Sequence, residues 1–217
     1  MSRPFDLIAF DWDGTLIDST ALISGSLQAA AADLGLPVPT HEQASHVIGL
    51  GLMQAFEYLF PALEAERYPA LTERYRFHFL AKDHEVALFD GVRELLPALR
   101  AQGYLLAVAT GKARRGLDRA LEQSGLLQFF DATRCADETF SKPHPQMLLE
   151  LIDELNVDAA RVLMVGDTTH DLQMAANAGT AAVAVTCGAH PPEELAREPH
   201  RVMLASVKDL PDWLAKQ

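Results

Sequence analysis

Two carboxylates, Asp11 and Asp13, end a short apolar run in Phe10-Asp11-Trp12-Asp13-Gly14-Thr15. Phe5 to Phe10 have the pattern of a buried strand, and Gly14 breaks it. Residues two apart on a strand share a face, so the two carboxylates are expected to stand together at its carboxyl end. Open α/β sheets bind their ligands there. Neighbouring carboxylates repel unless a cation or a shared proton relieves them. Mg²⁺ suits such a pair, because it takes oxygen ligands and leaves room for a phosphate. An Asp-rich surface turn is the plain alternative. A Ca²⁺ loop of the EF-hand type fits poorly, since its twelfth position is Leu22 and not Glu.

Three further polar clusters follow apolar runs or open helices: Thr110-Gly111-Lys112, Lys142-Pro143, and Gly166-Asp167-Thr168-Thr169-His170-Asp171. Each has a structural reading. Thr110-Gly111 would be a strand-to-helix turn, Lys142 a solvated charge, and Asp167 and Asp171 helix caps. Their common order along the chain is harder to explain by turns and caps.

The elements that must position them alternate. A helix capped by Asp90 carries Val92, Leu95, Leu96 and Leu99 on one face and ends at Gly103. Strands are expected at 105–109, 132–135, 162–165, 181–185 and, as an edge, 202–204. Helices are expected at 114–124 (closed by Gly125), 143–155 (with Pro143 in its first turn), 172–178 and 207–214. Such alternation predicts a parallel sheet with helices on both faces. Residues 18 to 88 break it and read as consecutive helices, with apolar spacing at 53–60 and 71–80. The resulting organisation is an α/β, Rossmann-like core from 1–17 and 89–217, with a helical cap from 18–88 inserted after the first strand.

Composition narrows the partners. Eighteen basic and thirty acidic residues give a net charge of −12. That excludes nucleic acid and an anionic membrane as expected partners, but not a small phosphorylated metabolite. Cys135 and Cys187 are too few for a disulfide framework and read as core residues. Met1 to Pro4 lead straight into the first strand with no signal peptide, and no apolar run is long enough to span a bilayer. The expectation is a cytoplasmic monomer or homodimer.

Together these residues resemble the haloacid dehalogenase superfamily, in particular its small-phosphatase branch with a helical cap after the first strand. By eye the chain is most similar to phosphoglycolate phosphatases. The resemblance implies that Asp11 is a nucleophile forming an aspartyl-phosphate and that Asp13 is its general acid/base. It implies a Mg²⁺ held by Asp11, the Asp13 backbone carbonyl and Asp167, with Asp171 either a further ligand or an orienter of Lys142. Thr110 and the Gly111 amide would bind the phosphoryl group, and Lys142 would be a point charge on it. Asp13 argues for phosphoryl transfer over dehalogenation, which needs no protonated leaving group. The rival activities are a sugar-phosphate mutase and an inorganic pyrophosphatase. A regulatory binding protein retaining the fold is the rival outside enzymes.

The remaining polar residues are assigned plainer roles. Gly49-Leu50-Gly51 resembles the cap loop that reaches over the active site. A dinucleotide loop is excluded there, because no strand precedes it and its third glycine is missing. No basic residue adjoins that loop. Arg74, Arg76 and Lys82 are distant candidates for a basic substrate contact, with solubility as their plainer role, and Lys112 and Arg114 near the Thr110 turn either meet substrate or, more plainly, are exposed helix charges. His144 and His170 read as solvent-facing, and His41 and His46 as surface or packing residues.

Overall fold

The computed structural model describes residues 3–217, so Met1 and Ser2, part of the expected lead-in, lie outside the described residues. Six strands form one parallel sheet: β1 (Leu7–Phe10), β2 (Leu105–Thr110), β3 (Ala132–Cys135), β4 (Val162–Gly166), β5 (Ala181–Val185) and β6 (Met203–Leu204). Their order is β3-β2-β1-β4-β5-β6. The chain builds outward from β1 to β3, then returns to place β4 on the other side of β1. Phe10 therefore pairs with Val108 of β2 and Val165 of β4. This reversal beside β1 opens a crevice at the carboxyl ends of the strands.

Five α-helices lie between β1 and β2, and the first four form the insertion: α1 (Thr20–Asp33), α2 (His41–His46), α3 (Leu52–Leu59) and α4 (Tyr68–Lys82). The rest alternate with strands: α5 (Val92–Ala101), α6 (Arg114–Ser124), α7 (Gln146–Leu155), α8 (Thr169–Asn177), α9 (Pro192–Leu195) and α10 (Leu210–Leu214). No helix among the described residues is long and apolar enough to cross a membrane.

Strand alternation divides the core in two. Ile8, Phe10, Leu106, Val108, Leu163 and Val165 face one side and pack on α5, α6 and α10. Leu7, Ala9, Ala107, Ala109, Met164 and Ala182 face the other. Small side chains dominate that second face and let α7 and α8 approach through Leu148, Leu151 and Leu172. A third apolar cluster sits among the inserted helices, around Leu27, Phe56, Phe60 and Leu71. The two ends of the inserted segment meet in one antiparallel bridge, Ile17 with Leu88, where Asp18 N–H donates to Ala87 O at 2.9 Å and Phe89 N–H to Leu16 O at 3.0 Å.

Several boundaries differ from the sequence reading. Gly91, at φ +83°, caps α5 in place of Asp90, because the chain enters the helix through a left-handed turn that favours glycine. The helix expected from Pro143 starts at Gln146, and Pro143 follows a cis peptide bond in the preceding turn. Thr168 accepts from Asp171 N–H while the Asp171 carboxylate accepts from Thr168 N–H, and this capping box starts α8 three residues earlier than its apolar spacing suggested. The final helix is a 3₁₀ turn over Val207–Asp209 followed by α10.

Candidate active site

Asp11 leaves β1 with its amide donating to Val165 O at 2.9 Å. The neighbouring strand end, β4, delivers Asp167, and the first turn of α8 delivers Asp171. Carboxylate oxygens of Asp11, Asp167 and Asp171 lie within 4.8 Å of one another, and all three residues are fully buried. Lys142 reaches in from the turn before α7. Its Nζ is 2.7 Å from Asp11 Oδ1 and 2.6 Å from Asp171 Oδ1. Two of the three carboxylates thus share one ammonium.

Asp167 and Asp171 each have further partners. Thr15 Oγ1–H donates to Asp167 Oδ1 and Ala189 N–H to Asp167 Oδ2, both at 2.7 Å. Thr168 Oγ1–H donates to Asp171 Oδ2 at 2.6 Å. Asp11 Oδ2 is buried with no partner among the described residues. Gly14 and Gly188 leave room for Asp167. A Cβ on either would come within 2.1 Å of its Oδ2, and Gly14 also sits at φ +82°.

Charge crowding perturbs these groups. Burial, then the Asp171 carboxylate, pushes the Asp167 carboxyl up to about 7. Burial outweighs Lys142 and holds the Asp11 carboxyl well above the usual carboxylate range. Burial alone would lower the Lys142 ammonium, but the Asp11 and Asp171 charges override it and hold it above its ordinary value. Excess buried carboxylate with an oxygen lacking a partner fits a small divalent cation that takes only oxygen ligands. Mg²⁺ is such a cation.

Asp13 plays a different part. β1 ends at Phe10, so Asp11 and Asp13 lie on the turn beyond it, and the side chain of Asp13 is not in the three-carboxylate cluster. Lys112 Nζ donates to its two oxygens at 2.9 and 3.0 Å, and Ser19 Oγ–H to its Oδ1 at 2.6 Å. Lys112 is therefore a site residue and not an exposed helix charge, the plainer of its two sequence readings. Its ammonium also lies 4.9 Å from the centre of the Phe79 ring. Thr110 is buried at the end of β2, where its Oγ1 accepts from Lys112 N–H at 3.2 Å. The carbonyls of Gly49 and Leu50 lie so close to Gly111 that a Cβ there would meet them at 2.4–2.5 Å. Gly51 N–H donates to Ser141 Oγ at 2.7 Å. The loop from 49 to 51 thus covers the end of β2.

The histidines also depart from the reading. His170 is buried, and burial lowers its imidazole to about 4. His170 Nε2 and His190 Nε2 lie 2.9 and 3.0 Å from His46 O. The His46 and His190 rings stack at 5.2 Å, so the trio clasps α2 against α8. His190 was not singled out from the sequence, which holds no local pattern around it. His144 stacks on Phe140 outside the cluster. Arg114 pairs with Glu138, and Arg74 with Asp33, as surface charges do. Arg76 lines the cleft beneath the inserted helices, contrary to its plainer role as a solubilising charge. Burial pushes the Cys135 thiol up to about 12 and the Cys187 thiol up to about 11, which leaves both protonated and unreactive.

Comparison with known proteins agrees with this arrangement. A model of the haloacid dehalogenase-like hydrolase family matches residues 8–185. The probable phosphatase IndB of Dickeya dadantii (strain 3937) is 41% identical over 203 residues, covering 91% of this chain and 88% of that protein. A phosphoglycolate phosphatase of Agrobacterium fabrum is 35% identical over 194 residues, covering 86% and 83%. The crystal structure of a hydrolase from Pseudomonas syringae shares the fold with a TM-score of 0.89 at 20% identity, covering 97% of this chain and 98% of that one. The chain belongs to the haloacid dehalogenase-like hydrolase family, and its enzyme class is phosphatase.

Proposed function

We propose that the protein hydrolyses a small phosphomonoester with Mg²⁺ bound, through an aspartyl-phosphate on Asp11. The observation that carries this reading is the buried cluster of Asp11, Asp167, Asp171 and Lys142 at the strand ends, with Asp13 beside it on the turn after β1.

Asp11 attacks phosphorus, and the bond to the leaving oxygen breaks. Asp13 gives that oxygen its proton. In the second step Asp13 takes a proton from water as the water attacks the same phosphorus, which frees Asp11 and inorganic phosphate. Lys142 neutralises phosphoryl oxygens, and Thr110 with the Gly111 amide orients them. Asp11, Asp167 and the Asp13 backbone carbonyl would hold Mg²⁺, which supplies charge neutralisation and alignment of the phosphoryl group when bound. Asp171 serves chiefly to hold Lys142, at 2.6 Å. Lys112 and Ser19 position Asp13. The helices from 18 to 88 act as a cap domain over a core of 1–17 and 89–217.

The substrate class is supported by the relatives named above, one a probable phosphatase and one a phosphoglycolate phosphatase. The test is phosphate release, with and without Mg²⁺, from phosphoglycolate, sugar phosphates, pyridoxal phosphate, nucleotides and pyrophosphate. Mg²⁺-dependent release from a monoester is expected. Release from pyrophosphate alone would make the protein a pyrophosphatase. Interconversion of hexose phosphates without net release would make it a mutase.

A further inference from the structure

The cleft under the inserted helices holds a cavity of about 410 Å³ that opens onto Asp13, Gly111 and Lys112. Its walls above Asp13 are apolar: Ile23 and Leu27 from α1, Val47 and Leu50 from the loop, and Tyr75 and Phe79 from α4. Burial and the nearby Asp13 carboxylate raise the Tyr75 phenol, which keeps it neutral. Three arginines complete the lining: Arg76 from α4, and Arg115 and Arg119 from α6. Lys112 is paired with Asp13, and Arg119 with Asp83 at 3.4 Å. No acidic side chain lies within salt-bridge distance of Arg76 or Arg115 among the described residues.

Arg76 and Arg115 are exposed on the cleft wall, and what distinguishes them from other cations of the chain is their place beside the apolar chamber above Asp13. A second cavity of about 590 Å³ also reaches Asp13, but its wall is the connecting segment from Val86 to Gly91. It is lined by neither Arg76 nor Arg115. The first cavity alone joins the expected general acid, an apolar chamber and two unpaired cations.

We propose that the substrate is the phosphomonoester of a ring-bearing molecule that carries a second acidic group. The phosphoryl group enters past Asp13, the ring lies between Leu27, Leu50, Tyr75 and Phe79, and the second acid meets Arg76 and Arg115. Ligand cavities of about 300–1,000 Å³ enclose whole ring systems. A two-carbon phospho-acid would leave most of this one filled with water, and its apolar walls would gain nothing from it. Guanidinium is the side chain suited to a planar, bidentate grip on a carboxylate or phosphate. The inference rests on the hydrolytic reading above and narrows it.

The experiment compares kcat/KM with Mg²⁺ for ethyl, benzyl and 4-carboxybenzyl phosphate and for phosphoglycolate. Ethyl and benzyl phosphates are both alkyl esters, so leaving-group acidity does not separate them. Benzyl phosphate is expected to exceed ethyl phosphate and phosphoglycolate by roughly tenfold or more, the discrimination an apolar pocket gives. The carboxyl group is expected to add roughly another tenfold, lost again in Arg115→Ala, as for a single charged hydrogen bond. Ile23→Trp, checked for folding by circular dichroism, is expected to shrink the benzyl-to-ethyl ratio toward one. Equal or better turnover of ethyl phosphate or phosphoglycolate would overturn the inference while leaving the hydrolytic reading intact. A carboxyl group without effect would overturn the second acidic group and with it the roles of Arg76 and Arg115. Failure of all four esters to release phosphate would strike the hydrolytic reading itself.

Discussion

The strand ends and the inserted helices handle charge in opposite ways. At the strand ends three carboxylates and one lysine are sealed from water, with Thr15 holding Asp167 and Thr168 holding Asp171. In the cleft the charges are exposed arginines on a wall of aliphatic and aromatic side chains. The first arrangement crowds negative charge in a way that a bound cation would relieve. The second is open, adaptable and cheap to alter. The contrast fits the proposed division of labour, with the reaction at the strand ends and the choice of substrate in the cleft between the inserted helices and α6.

Removing the nucleophile breaks that contrast most severely. Asp11→Asn is expected to lower turnover by about 10⁴-fold or more on every substrate, with the melting temperature kept or raised, because a buried carboxyl above its ordinary range is replaced by a neutral isostere. Lys142→Met is next. It removes activity and leaves Asp11 and Asp171 buried without their cation, at a cost of about 3–5 kcal/mol in stability. Thermal denaturation and phosphate release check both.

A milder effect comes from pH. The folded Asp167 carboxyl titrates at about 7, above about 3.9 in an unfolded chain. Between these values the metal-free fold binds a proton that the unfolded chain has released. The contribution of Asp167 to stability is therefore fully present below about pH 4 and is lost as pH rises through about 7. Mg²⁺ needs the ionised carboxylates, so its binding becomes more favourable over the same window. The rise in melting temperature on adding Mg²⁺ is expected to be larger at about pH 8 than at about pH 5.5. An equal rise at both would show that the metal does not use these groups. The smallest expected change is Arg74→Ala, which removes an exposed pair with Asp33 and is expected to leave the melting temperature nearly unchanged.

The same contrast governs what the sequence disclosed. Asp11, Thr110, Lys142 and Asp167 are legible because each sits at a strand end or turn that its own neighbours announce. The strands at 132–135 and 181–185 and the helix closed by Gly125 are legible for the same local reason. The plainer reading of Lys112 failed because its partner, Asp13, is 99 residues away. His170 and His190 converge on His46 across 124 and 144 residues, and Arg76 reaches the cleft only through the packing of α4. Pro143 misled because a proline that suits a first helical turn suits a cis turn equally.

The central claim is that Asp11 carries the phosphoryl group. Acid-quenched protein, mixed briefly with Mg²⁺ and a hydrolysed ester, would be digested and its peptides weighed by mass spectrometry. The account predicts one added phosphoryl group on the peptide containing Asp11, absent in Asp11→Asn. Turnover with no label on that peptide, or a label that survives in Asp11→Asn, would contradict it.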